Sequence, residues 1–246
     1  MRIAIVSDIH GNLTAFEAIL ADLRQTAPDL IIHGGDLADT GAHPAEIVDQ
    51  IRALGWPGAV GNTDELLFRP ESLTEFAGQS VQALQPVFAA VEEMAAWTRE
   101  ALGEERIAWL RELPRIQIHG PMALVHASRE SLWRAPSLDA GDEELHRVFG
   151  PLGQPIAVYA HIHRPFVRSL PGARGGTRLV VANTGSVSLS YDGDRRSAYL
   201  LLDGLEPTIR RVDYDVDTEL KALSESGLPH SDWIARTLEA ACPQMP

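Results

Sequence analysis

The sequence predicts an α/β fold, and three observations carry that prediction. Short β-branched apolar runs, too brief for helices, each stop abruptly at polar or glycine-rich residues. Segments with apolar residues at helical spacing separate them. Strand and helix alternate in the first part of the chain, which calls for a parallel sheet, whereas the later strands follow one another at hairpin spacing. In such sheets ligands bind beyond the C-terminal strand ends.

The first run, residues 3–6, ends in Asp8, Ile9, His10, Gly11 and Asn12. Residues i and i+2 of an extended backbone point to one side, so Asp8 and His10 are expected to converge just past the strand. A carboxylate and an imidazole there suit a divalent transition metal. On the pair alone, an Asp that caps the next helix beside a His that packs nearby is the alternative. Residues 12–25 carry Leu13, Phe16, Ile19, Leu20 and Leu23 at helical spacing, with Asn12 as N-cap and Pro28 beyond the end. A second strand, 30–33, stops at Gly34, Gly35 and Asp36. A helix over 44–54 starts on Pro44. A third strand, 56–60, ends in Gly61, Asn62, Thr63 and Asp64.

Residues 66–114 change character. Helical periodicity at 81–84, 87–102 and 106–113, punctuated by Pro70, Pro86 and Pro114, predicts two or three helices at an edge or over the site. Strands resume at 115–118 and 122–125, the second ending in His126. A loop and helix occupy 128–152. A strand over 156–159 ends in Ala160, His161, Ile162 and His163. Antiparallel strands follow at 166–170, 177–183, 198–202 and 208–212, with turns at 172–176 and 203–206, then helices at 217–224 and 231–241. No repeat or linker divides the chain, so a single domain over 1–246 with a helical insertion at 66–114 is expected.

The chain has 246 residues and a formal charge of −13, with Lys221 its only lysine. That balance argues against long nucleic acid and anionic membranes as partners. A small anionic substrate remains compatible if a metal supplies local positive charge. Cys242 is the only cysteine, so no internal disulfide forms, and a reducing cytoplasm is expected. Met1 leads straight into the first strand, and no leader or membrane span is expected. Oligomeric state is not readable.

Collected in order, the strand ends give Asp8, His10, Asp36, Asn62, His126, His161 and His163. Each is a metal-ligand type, and each follows an apolar run. Mixed carboxylate, imidazole and amide oxygen suit Mn, Fe, Zn or Co better than Mg or Ca. Seven ligands exceed the need of one metal. With Asp36 bridging, they fit two metals about 3.5–4 Å apart.

These blocks resemble those of the calcineurin-like metallophosphoesterase superfamily: Asp8-Ile9-His10, Gly35-Asp36, Gly61-Asn62-Thr63-Asp64, His126, and Ala160-His161-Ile162-His163, in the family's order. The segments Asn183-Thr184-Gly185-Ser186-Val187 and Asp192-Gly193-Asp194 resemble the small YfcE-type bacterial and archaeal phosphodiesterase branch. The resemblance implies two mixed β-sheets sandwiched between helices in four layers. It also implies one metal held by Asp8, His10, Asp36 and His163, and another by Asp36, Asn62, His126 and His161. The ions would be Mn, Fe, Zn, Co or Ni, with Mn expected to support activity. The implied reaction is metal-dependent hydrolysis of a small phosphodiester or phosphomonoester by a hydroxide that two metals share. Asp36, Asn62 and Asp64 are the candidate catalytic residues.

Two positions depart from the family pattern. Ala160 stands for Gly. Thr63 stands for the His that protonates the leaving group in many relatives, and a hydroxyl is no general acid near neutral pH. General acid catalysis is worth about 10²–10⁴-fold, so diesters and aryl phosphates are favoured over alkyl monoesters. Asp64 either orients His10 or another ligand or caps the following helix. Asn12, Arg129, Trp133 and Arg164 are candidate substrate contacts, set against capping, core packing and solvated surface charge. The rival functions are a protein Ser/Thr phosphatase, a dinucleoside polyphosphate hydrolase, and a catalytically weak metal-binding scaffold. The remaining histidines, His33 among them, are expected not to bind metal.

Overall fold

The computed structural model describes residues 1–78, 84–172 and 178–246. Two mixed sheets form its centre. In the first, β1 (Arg2–Val6) pairs in parallel with β2 (Leu30–His33) and antiparallel with β8 (Ser197–Asp203), which continues into β9 (Glu206–Val212), giving the order β2-β1-β8-β9. In the second, β3 (Ile116–His119) pairs antiparallel with β4 (Met122–Val125). β4, β5 (Ile156–Tyr159) and β7 (Leu179–Asn183) then run parallel, and β6 (Phe166–Leu170) closes the order β3-β4-β5-β7-β6.

The apolar runs are continuous because both faces of the sheets are covered. Ile3, Ile5, Leu200 and Leu202 of the first sheet meet Leu124, Val158 and Ala182 of the second in one buried cluster. On the outer side of the first sheet, Ala4 and Val6 pack on α1 (Leu13–Thr26) and α2 (Pro44–Leu54) through Phe16, Ile19, Ile47 and Ile51. Outside the second sheet, Val125 and Tyr159 pack on α6 (Asp142–Phe149) through Leu145 and Phe149. Helix, sheet, sheet and helix are the four layers expected.

The segment after residue 60 forms α3 (Asn62–Phe68), α4 (Glu71–Ala77) and α5 (Gln85–Arg111), which is interrupted at Gly103 with φ 69°. The chain ends in α7 (Val216–Ser226) and α8 (Ser231–Ala240). Among the described residues no helix is long and apolar enough to cross a membrane.

Three expectations need correction. Residues 56–60 form no strand; only Gly58 bridges to His33. Pro57 has no N–H for a ladder, and the bare Gly58 backbone lies against the His33 ring, where a Cβ would collide. The strand over 177–183 is not simply antiparallel: β7 runs parallel to β5 and antiparallel only to β6. α3 begins at Asn62, inside the block read as a strand end. The predicted helical stretch over 81–84 and the turn over 172–176 fall largely outside the described residues.

Candidate metal centre

Four C-terminal strand ends, of β1, β2, β4 and β5, and the first turn of α3 meet at one place. Asp8, His10, Asp36 and His163 bring ligand atoms within 4.8 Å of one another, and so do Asp36, His126 and His161. Asp36 belongs to both groups. Its Oδ1 accepts the Thr63 amide at 2.9 Å. Its Oδ2 lies 3.4 Å from His126 Nε2 and 3.8 Å from His10 Nε2. One carboxylate oxygen thus faces both clusters.

The backbone that achieves this is not extended. Asp8, His10, Asp36, His161 and His163 all have φ between 49° and 69°. The i, i+2 pairs therefore converge through tight left-handed turns, not through strand alternation. Each such residue costs about 1 kcal/mol or more, and strain of this kind gathers at functional sites.

Three of the four imidazoles are fixed from behind. His10 Nδ1 donates to the Asp39 carbonyl at 2.9 Å, His126 Nδ1 to Gly34 O at 2.8 Å, and His163 Nδ1 to Leu189 O at 2.6 Å. A carbonyl only accepts, so the Nδ1 of each carries the hydrogen and Nε2 turns inward, as metal-ligating histidines do. Ser7 Oγ donates to Asp8 Oδ2 at 2.7 Å, and the His161 amide donates to Asp8 Oδ1.

The donor atoms fit divalent metal ions. His10 Nε2 and His163 Nε2 face each other at 3.3 Å, two lone pairs that repel unless a cation or proton lies between them. Asn62 Oδ1 stands 2.9 Å from His126 Nε2 and 2.8 Å from His161 Nδ1. Turning the amide over would let its NH₂ donate to both rings and to Asp36; a cation satisfies the same atoms without the turn. Hard oxygens mixed with imidazole are the donor set of a first-row transition metal.

The electrostatics of these side chains agree. Burial works to raise the Asp36 carboxyl, but the charges of His126, His10 and His161 outweigh it and hold the group ionised well below the usual range. Burial works to lower His126, but Asp36 outweighs it and raises this ring to about 9. His161 is pushed down to about 4 by burial and by the charge of His126.

The site opens into a cleft of about 380 Å³, lined by Thr40, Asn62 and Thr63 beside the candidate ligands and walled by α5, α8 and the C-terminal tail.

Comparison with known proteins decides what this arrangement is. The family model of the calcineurin-like phosphoesterases matches residues 1–165, from the first strand to just past His163. The chain belongs to the calcineurin-like phosphoesterase family. A metallophosphoesterase structure from Sphaerobacter thermophilus superposes with a TM-score of 0.78 at 26% identity, covering 98% of this chain and all of that one. An uncharacterized protein of Methanocaldococcus jannaschii is 29% identical over 253 residues, 96% of each chain. A symmetrical bis(5′-nucleosyl)-tetraphosphatase of Methylococcus capsulatus is 30% identical over 60% of this chain and half of its own length. A probable cyclic nucleotide phosphodiesterase of Synechococcus is 26% identical over 68% of this chain and 75% of its own.

Within this phosphoesterase scaffold, all seven residues picked as ligands gather at the centre. The other candidates do not. Asp64 does not reach His10: its carboxylate accepts the amides of Asp36, Gly61 and Leu37 at 2.8–2.9 Å. It caps its own helix and anchors the Asp36 loop at once, so both readings of it hold in part, but it touches no reacting group. Asn12 caps α1 through the Ala15 amide, donates to Ser188 Oγ and does not line the cleft. Arg129 donates to Pro151 O in a separate surface pocket. Trp133 donates to Glu65 and stacks on Phe76, also away from the cleft. Arg164 follows His163 directly but does not line the cleft.

Sequence reasoning missed the carbonyls of Gly34, Asp39 and Leu189, which no residue type encodes. It also missed Tyr191, whose ring stacks on His163 at 4.6 Å, and the wall formed by α8 and the tail. The helical periodicity at 87–102, expected at an edge or over the site, supplies the other wall through Val87 and Val91.

Proposed function

We propose that this phosphoesterase hydrolyses small phosphodiesters in preference to phosphomonoesters, using two divalent ions held by the seven clustered residues. Thr63 carries the reading. Its hydroxyl is buried beside the cleft, the residue as a whole being 9% exposed, and it has no hydrogen-bond partner among the described residues. It stands where the family pattern has a proton donor. The histidines that line the cleft, His10, His161 and His163, all belong to the ligand set. A reaction here must manage without an imidazolium at the leaving group, and departing aryloxides or acidic alcohols need such help least.

Bound divalent ions supply a nucleophile near neutral pH and positive charge for the phosphate oxygens. The chain's own groups do the rest. Asp36 turns Oδ2 to both clusters, and the carbonyls of Asp39, Gly34 and Leu189 hold three rings in register. The cyclic nucleotide phosphodiesterase among the relatives supports a diester substrate. The tetraphosphatase relative favours a second reading, a dinucleoside polyphosphate hydrolase, which Thr63 weakens. A cytoplasmic setting, with Cys242 reduced, is part of the proposal.

The test compares bis-p-nitrophenyl phosphate with p-nitrophenyl phosphate at saturating manganese and after chelation. Metal-dependent turnover that favours the diester supports the reading. A preference for the monoester overturns it.

A further inference from the structure

The walls of the cleft are unlike its floor. The floor is the cluster of carboxylate and imidazole. Leu84, Val87 and Val91 line one wall at the start of α5, and Trp233 and Ile234 of α8 with Met245 of the tail line the other. The second wall lies outside the segment that defines the family, which ends at residue 165.

Two of the few large apolar side chains that remain exposed are found in these walls, Leu84 at 41% and Met245 at 55%. Met245 is not a frayed end. Trp233 Nε1 donates to Gln244 O at 2.9 Å, and Arg236 donates to Met245 O at 3.0 Å, so the tail is tied back onto α8. Among the described residues no arginine or lysine lines the cleft. An exposed apolar surface held in place around a polar floor is the pattern of a small-ligand pocket, whose usual volume of about 300–1,000 Å³ includes this one.

We propose that this cleft is a subsite for an uncharged apolar group on the phosphorus, so that the substrates are singly charged phosphodiesters with an aryl or alkyl substituent, not polyphosphates. The inference rests on the phosphoesterase reading and narrows it. An apolar substituent leaves water against the apolar lining of Val87, Val91, Trp233 and Met245. A further phosphate would enter the same space without a cation to meet it, since the positive charge of a loaded site sits at the floor.

Calorimetric titration of the manganese-loaded full chain tests the subsite, with the anions phenyl methylphosphonate and methyl methylphosphonate as probes. Both carry one negative charge and differ only in the substituent. The phenyl compound is expected to bind about tenfold more tightly or better, and Met245→Glu, at an exposed position that folding tolerates, to reduce the ratio below about threefold. Val87→Asp, checked for folding by circular dichroism, is expected to do the same. A ratio below about threefold in the parent protein overturns the proposal, and so does a ratio that survives both substitutions. Tighter binding of diadenosine tetraphosphate than of the phenyl compound also overturns it. Hydrolysis is read separately. A protein that cleaves no ester yet keeps the phenyl preference sinks the phosphoesterase reading and leaves the subsite standing. One that cleaves esters without the preference sinks the subsite alone.

Discussion

The Asp64 carboxylate accepts the backbone amide of Asp36 at 2.8 Å, and the same oxygen accepts the Gly61 amide at 2.9 Å. A buried acid on one helix thereby fixes the loop that presents the Asp36 carboxylate common to both clusters. Burial and the charge of Asp36 push Asp64 up to about 6, with the amides of Leu37 and Gly61 pulling it back.

Asp64→Asn sets an NH₂ against amide donors. The Asp36 loop should lose its anchor without losing any ligand. Manganese affinity is expected to fall about 10–100-fold, the range for partners that orient metal ligands. Titration calorimetry checks this, and unchanged affinity would mean that the contact only caps α3.

Thr63→His supplies the missing proton donor. Turnover of alkyl phosphomonoesters should rise by about 10²-fold, with aryl diesters gaining far less. The readout is the ratio of the two kcat values; a ratio that does not move would place the limit elsewhere in the reaction.

His33 gives a stability prediction apart from the metals. Its ring is fully buried at the end of β2, and neither nitrogen has a hydrogen-bond partner among the described residues. Burial lowers it from 6.5 to about 3. A group depressed in the folded state leaves the unfolded chain binding the extra proton between those values, so stability falls as pH drops below 6.5. From pH 7 to 5 the loss from this residue is about 2 kcal/mol. Chemical denaturation of His33→Leu should show that much less pH dependence than the parent, the metal site being common to both. Equal slopes would mean that His33 finds a partner in solution.

Much of the fold was legible because short β-branched runs and helical stripes have distinct periods. β2, β5, β6 and α2 fall within the bounds read from the chain. Residues 56–60 misled because an apolar stretch says nothing about the missing N–H of Pro57 or the bare Gly58 backbone, which leave a single bridge to His33 at the edge of β2. The seven clustered residues were legible because polar groups at the ends of buried runs are rare without a task. Their left-handed backbone was not, since Asp and His adopt it only where surrounding contacts enforce it. Arg129 and Trp133 were misplaced because nearness in sequence to His126 is not nearness in space; the chain after the strand leads them to Pro151 and Glu65. The apolar walls come from α5, α8 and the tail, and no local pattern distinguishes such a wall from core.

The central claim is a two-ion site with Asp36 shared. Metal content of the purified, manganese-saturated chain, measured by mass spectrometry beside titration calorimetry, tests it most directly. Two ions per chain are predicted, with Asp36→Asn losing both and His126→Ala losing one. A single ion in the parent protein, or two retained by Asp36→Asn, would contradict the account.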